Sequence, residues 1–227
     1  LINSGNANAG TGEQGLADAR ASCAKLAALT GCRADEVLPF STGVIGENLP
    51  MDRLEVALPI VSERRREAAW PEAARAIMTT DTVPKLASRR FAAVGRTAVI
   101  SGMAKGAGMI RPDMATLLAF VATDLAMEQD LLQRCLSDAV EVTFNAISVD
   151  GDTSTNDACV LAAAGTLDNE PLDDPESEDY LAFRTVVEDV CRELATAIVR
   201  DGEGATKLVT VQVDEARDSF EARRVAD

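Results

Sequence analysis

No histidine occurs in the 227 residues, so neither a Ser-His-Asp nor a Cys-His arrangement can form, and covalent catalysis would have to activate its nucleophile by other means. One remaining solution is a threonine or serine whose own α-amine acts as general base, because a free α-amine titrates at about 7.7 to 8.0 and accepts a proton near neutrality. That amine exists only once the preceding peptide bond is cut. A self-inflicted cut needs a small residue before the hydroxyl-bearing one, a flexible glycine-rich approach, and donors for the oxyanion that forms. The stretch Lys105-Gly106-Ala107-Gly108-Met109-Ile110-Arg111-Pro112-Asp113-Met114-Ala115-Thr116 supplies the first two. Taken alone, its glycines also suit an ordinary turn or a phosphate cradle, although the P-loop pattern is missing. Thr116 without its context reads as a core-facing strand threonine.

Other chemistries find less support. The five cysteines, Cys23, Cys32, Cys135, Cys159 and Cys191, are odd in number and show no C-x-x-C spacing. They suggest neither a disulfide framework nor a usual zinc site and read as reduced, mostly buried thiols. Asp150, Asp152, Asn156 and Asp157 cluster as calcium ligands might, yet the EF-hand pattern is broken and no glutamate closes the loop, so a hydrogen-bonded turn is the better expectation. The formal charge of -15 argues against nucleic acid, whose phosphates demand a basic surface. No apolar run reaches the roughly 18 residues of a membrane span, and no basic stretch leads into an apolar one at the start. A cytoplasmic protein without membrane contact is expected.

The elements that must position these residues follow from periodicity. Leu16, Ala19, Cys23, Leu26 and Ala27 recur at helical spacing, predicting a helix from Glu13 to Thr30 stopped at Gly31. Val37 to Phe40 reads as a strand running into a polar turn at Ser41-Thr42-Gly43. Met51 to Leu58 and Ile60 to Ala69 read as two helical pieces divided by Pro59, and Pro71 to Met78 as a helix with proline at its first position. Leu86 to Phe91 and Thr97 to Gly102 predict a hairpin around Gly95. Thr116 to Val121 is strand-like, Met127 to Ile147 an amphipathic helix, and Cys159 to Ala164 either helix or strand. The acidic, proline-bearing segment from Asp168 to Glu178 suits a mobile surface loop. A helix from Asp179 to Arg200 and a strand from Leu208 to Val213 complete an α/β order. With 47% hydrophobic residues the chain can bury a real core. It opens at Leu1 without methionine and is expected to be a piece of something longer.

The stretch from Lys105 through Leu118 closely resembles the self-cleavage segment of the ornithine acetyltransferases, also called glutamate N-acetyltransferases, of arginine biosynthesis. Further segments agree in order and spacing: Asn3 to Ala9, Ser41 to Gly46, Ala76 to Thr82, Ser148 to Asp157 and Asp201 to Lys207. The resemblance covers essentially the whole chain. It implies a layered α/β sandwich with helices packed outside mixed sheets, shared with self-cleaving aminopeptidases. Residues 1–115 would be the end of the α chain and 116–227 the start of the β chain, with family segments missing at both ends. Among the missing parts would be an Asn-Trp-Gly-Arg-like segment and a C-terminal asparagine. Gly10 stands where family members carry a cysteine.

The same resemblance implies roles. Thr116 is the nucleophile, first attacking the Ala115 carbonyl and then carrying the acetyl group from N-acetylornithine to glutamate. Thr42 and Gly43 form the oxyanion hole, by hydroxyl and by backbone N–H. Thr79, Lys105 and Glu203 bind substrate, the lysine suiting a carboxylate and the glutamate an amino group. No metal and no prosthetic group is implied; a bifunctional member would also take acetyl-CoA as a substrate. The partners implied are the two small-molecule substrates and the α and β chains of one precursor, assembled as a heterotetramer. The alternatives are a self-cleaving aminopeptidase or amidohydrolase relative, and an inactive truncated remnant.

The first test addresses cleavage in the full-length protein. Thr116→Ala should leave one uncut polypeptide without acetyl transfer, and Thr116→Ser should retain part of both. Intact mass and N-terminal sequencing decide it: a fully active uncut protein, or a new N-terminus other than Thr116, defeats the scheme.

Overall fold

The computed structural model describes residues 1–111 and 117–226. In chain order the elements are β1 (Ile2–Asn6), α1 (Gly12–Thr30), β2 (Phe40–Val44), α2 (Met51–Glu63), α3 (Trp70–Ala76), β3 (Lys85–Ala93), β4 (Arg96–Lys105), β5 (Leu118–Thr123), α4 (Gln129–Glu141), β6 (Ala158–Ala163), α5 (Glu178–Arg200) and α6 (Ser219–Ala226). The strands form a parallel pair, β1–β2, and a mixed sheet in the order β3-β4-β5-β6, antiparallel except for the last pairing.

The β3–β4 hairpin turns at Val94 and Gly95, with φ of 49° and 69°. Positive φ at both central residues is the requirement of a type I′ turn, whose twist matches that of the strands. The turn is tied to α5, because the Val94 N–H donates to the Asp179 carboxylate at 2.8 Å. Helix α5 starts cleanly: the Ser177 hydroxyl caps the Tyr180 N–H, Glu178 and Asp179 occupy the positive end of the helix dipole, and Arg200 lies in the last turn. Its buried side chains, Tyr180, Phe183, Val187, Val190, Cys191, Leu194, Ala195 and Ile198, recur at steps of three and four. They form one stripe that lies on the sheet.

With α4, that stripe encloses the main core, which includes Ile100, Ala119, Val121, Leu132, Cys135 and Phe144. Gly102 lets α5 approach β4, since a Cβ there would sit 3.0 Å from Leu194 and 3.1 Å from Val190. Alternate residues point the other way. Met103 and Phe120 join Ala74, Ile77, Trp70 and Ile2 in a second cluster, and Phe120 meets Phe40 of β2 edge to face at 5.0 Å. The mixed sheet is therefore the middle layer, with α4 and α5 on one face and α3 and the β1–β2 pair on the other.

Several local expectations need correction. Ser41-Thr42-Gly43 is not a turn but the middle of β2, paired with β1, and residues 37–39 precede the strand. Pro59 does not divide a helix: α2 is continuous across it, because one missing N–H costs one intrahelical bond while Leu58 remains buried as an anchor. The helix expected to reach Ile147 ends at Glu141 and is followed by a short 3-10 turn, Phe144–Ala146. Cys159 to Ala164 resolves as strand β6. The acidic loop is stitched down: Asn169 bonds both the N–H and the carbonyl of Ala126, and the Leu172 carbonyl accepts from Glu128 N–H. Residues 208–213 form no strand, and Leu208, Val209 and Val211 are exposed. Alternation describes a surface that fits a pleated neighbour, and no such neighbour lies beside it among the described residues.

Phe183, fully buried beneath the sheet and 6.3 Å from the Phe91 ring, gives a direct test of this packing. Phe183→Ala should lower the unfolding free energy by about 3 to 5 kcal/mol, read as a shift of the urea midpoint by circular dichroism. A loss of less than about 1 kcal/mol would mean that α5 does not anchor the core.

Candidate active site

The site begins with an unusually close pair of backbones. Ser4 lies beside Thr42 and Gly5 beside Gly43 in the parallel β1–β2 register. Gly43 has φ of 130°, and a Cβ on it would lie 2.3 Å from the Gly5 carbonyl carbon. No other residue fits there. The adjoining Thr42 side chain is buried and meets Lys105, at the end of β4, whose Nζ donates to Thr42 Oγ1 at 2.9 Å. A hydroxyl that accepts in this way keeps its own O–H to donate.

Thr42, Gly43, Thr79, Lys105 and Glu203 come from widely separated segments, and all of them line one cavity of about 690 Å³, within the range of small-molecule sites. The two charged residues differ in setting. Lys105 is buried, whereas Glu203 is exposed. Glu203 is held where a Cβ on Gly108 would come within 2.7 Å of its carboxylate, and its N–H donates to the Ala107 carbonyl at 2.7 Å. Burial pushes the Lys105 ammonium below the ordinary lysine value, and Lys85 adds to this; Asp81, Asp157 and Glu203 act against it without overcoming it.

Thr116 and Ala115 lie outside the described residues, but the chain on both sides of 112–116 is clamped. The Asp150 carboxylate accepts from the Met109 and Ile110 N–H groups at 2.6 and 3.0 Å, and Asp157 accepts from the Leu117 N–H at 2.9 Å. The acidic turn thus fastens the glycine-rich approach and the start of β5. Asn156 continues this bracing by donating to the Ala7 carbonyl at 2.5 Å. Among the described residues, no group of three or more histidine, cysteine, aspartate or glutamate side chains is arranged to hold a metal ion, and no helix is long and apolar enough to cross a membrane.

Motif reading missed one part of the site. The Lys85 ammonium, 1% exposed, bonds Asp81 at 2.6 Å and Asp201 at 2.7 Å. Burial alone would raise the Asp81 carboxyl; the Gly106 N–H, the bond to Lys85 with its charge, and the Thr79 N–H together hold it below the usual carboxylate value. Asp81 and Asp201 stand inside recognised segments, but Lys85 does not. The four-residue spacing of Asp81 and Lys85 signals a pair only on a helix, and here it spans a turn and the start of a strand.

A buried cation and hydroxyl thus face one cavity with a carboxylate at its margin. The profile of the ArgJ family matches residues 1–227, and the chain belongs to that family. It is 60% identical over 225 residues to the arginine biosynthesis bifunctional protein ArgJ of Methylococcus capsulatus, covering 99% of this chain and 55% of that protein. It is 52% identical over 214 residues to the protein of the same name from Pseudomonas fluorescens, covering 94% and 53%. The chain spans about half the length of the curated relatives it matches. Similar crystal structures include the arginine biosynthesis bifunctional protein of Bacillus halodurans, at 40% identity, TM-score 0.45, and coverage of 50% of this chain and 60% of that one. Another is an ornithine acetyltransferase complexed with ornithine from Mycobacterium tuberculosis, at 37% identity, TM-score 0.42, and coverage of 52% and 61%.

The Lys105 environment predicts a pH dependence. A lowered pKa means that its charge is lost as pH rises through a value below the ordinary 10.5. Binding of an N-acetylated amino acid whose only ionisable groups are carboxylates should therefore weaken across that window in the full-length protein, by calorimetry. Lys105→Met should bind weakly throughout and show no such inflection; an inflection that survives the substitution belongs to another group.

Proposed function

We propose that the full-length protein moves the acetyl group of N-acetylornithine to glutamate through an acetyl ester on Thr116, after cutting its own chain between Ala115 and Thr116. The observation that carries this reading is the gathering of Thr42, Gly43, Thr79, Lys105 and Glu203 on one cavity in a chain of the ArgJ family. In this scheme Thr42 and Gly43 donate to the oxyanion. Because Lys105 already donates to Thr42 Oγ1, the threonine proton is free to meet the charge that develops on the attacked carbonyl. Lys105 and Thr79 receive the carboxylate end of the substrate and Glu203 its amino group, the two signs that a free amino-acid derivative requires.

The proton balance needs no histidine. The Thr116 α-amine takes the proton of its own hydroxyl as the oxygen attacks the acetyl carbonyl, and returns a proton to the ornithine nitrogen as that bond breaks. The glutamate amine then attacks the ester, loses a proton, and leaves as N-acetylglutamate with the hydroxyl restored. The residues around the cavity contribute hydroxyl, ammonium and carboxylate groups, and the scheme as proposed includes no metal or prosthetic group. Acetyl-CoA as a second donor, the heterotetramer of cleaved chains and a cytoplasmic setting belong to the same proposal.

The deciding assay follows labelled acetyl from N-acetylornithine in the full-length protein with and without glutamate. Label should appear in N-acetylglutamate only when glutamate is present. Glutamate-independent release of acetate would replace the proposal with an amidohydrolase. Thr42→Val, which keeps shape and removes the hydroxyl, should slow transfer by about 100- to 1000-fold; an unchanged rate eliminates Thr42 as an oxyanion donor.

A further inference from the structure

Three of the proposed substrate-binding residues have no covalent nearness to one another. Thr79 follows α3, Lys105 ends β4, and Glu203 lies just beyond α5. Besides the bond from the Glu203 N–H to the Ala107 carbonyl at 2.7 Å, these segments are tied together by the ammonium of Lys85 at the start of β3. On one side it bonds Asp81 at 2.6 Å. The Asp81 carboxylate also accepts from the Gly106 N–H at 2.7 Å, directly after Lys105, and from the Thr79 N–H at 3.2 Å. On the other side Lys85 bonds Asp201 at 2.7 Å, two residues before Glu203. Asp201 in turn accepts from the N–H and hydroxyl of Thr82 and from the N–H of Val83.

The side chains of Lys85, Asp81 and Asp201 are 1%, 0% and 6% exposed. Lys85 and Asp81 are withdrawn from water and Asp201 stands at the edge of the network, so a rearrangement there leaves a buried charge short of a partner. Thr42 and Gly43, by contrast, are held by the β1–β2 pair and have no hydrogen bond to this network.

We infer that Lys85, Asp81 and Asp201 are positioning residues that set the spacing of the substrate-binding groups Thr79, Lys105 and Glu203, acting on substrate affinity rather than on the acyl-transfer step. The inference rests on the proposed function of the same cavity. None of the three is assigned contact with the substrate: among the described residues, the Lys85 ammonium hydrogen-bonds Asp81, Asp201 and the Val83 carbonyl.

The test uses the full-length enzyme and variants Asp201→Asn and Lys85→Met. Asp201→Asn keeps an oxygen for the Thr82 and Val83 N–H groups but removes one charge of the bridge, and it leaves Lys85 paired with Asp81, so it folds even where Lys85→Met does not. Phe183→Ala serves as a variant destabilised in the core away from the cavity. Kinetics are normalised to active enzyme by trapping the acetyl ester.

The expected result for Asp201→Asn is a KM for N-acetylornithine raised about 10-fold or more, within the range that misplacement by about an ångström produces. The kcat and the extent of self-cleavage should stay within about three-fold, a small change beside the roughly 100-fold cost of misaligned reacting groups. Phe183→Ala should lower Tm while leaving KM unchanged. A merely structural network would lower Tm and active fraction in Asp201→Asn but leave KM as in the wild type, and that result overturns the inference, as does a fall in kcat with KM unchanged. Absence of acetyl transfer in the wild-type enzyme is a separate outcome, which removes the proposed function itself.

Discussion

A lysine ammonium sealed from water costs several kcal/mol unless carboxylates meet it, and Lys85 is sealed almost completely. Asp81 and Asp201 satisfy it from opposite sides, and each has further oxygen lone pairs to spend on backbone N–H groups. The result is that a turn after α3, the end of β4 and the exit of α5 meet at one point. Displacing any of them leaves a charge or a donor without a partner. Lys105 illustrates the contrasting case: its ammonium is buried too, but it bonds a neutral hydroxyl and feels Asp81, Asp157 and Glu203 only at a distance. One lysine is neutralised and serves as a rivet. Among the described residues, the other has no carboxylate in direct contact.

The scaffold around that point is organised by which face of the mixed sheet each side chain takes. Ile100, Gly102, Ala119 and Val121 turn toward α5, so the sheet is rigidly backed behind the cavity. Met103 and Phe120 turn toward α3 and β2, which carries the backing through to the strand bearing Thr42. The oxyanion candidates sit on the β1–β2 pair and the substrate-binding candidates on the charge network, and the two are joined by the bond from Lys105 to Thr42 and by that from the Ser4 hydroxyl to the Met78 carbonyl beside Thr79.

Local chemistry made some of this legible in the sequence. The period of α1, its glycine stop at Gly31, the turn at Gly95 and the long stripe of α5 each depend on near neighbours, and they lie where periodicity put them. Thr42, Gly43, Thr79, Lys105 and Glu203 could be named because they fall inside long recognisable segments. What could not be read depends on distant partners. Ile2–Asn6 is polar and scarcely alternates, and it is a strand only because Phe40–Val44 pairs with it. Residues 208–213 alternate well and are not a strand, since pattern without a facing edge is only an opportunity. Lys85 stands outside every recognised segment, and nothing near it in the chain signals that Asp201 will come to it.

The order of strands around residues 112–116 has a consequence for how such a protein must come apart. β3 and β4 lie before that stretch, β5 and β6 after it, yet β4 and β5 are adjacent in the same sheet. A break there would divide the central sheet between two polypeptides, each with exposed strand edge, and split the main core between them. Unfolding would then become a dissociation, with a midpoint that rises with protein concentration, whereas the uncut chain would unfold independently of it. Severing one bond would change the molecularity of the folding reaction, and the two pieces would owe their association to the same sheet hydrogen bonds that previously held a single chain.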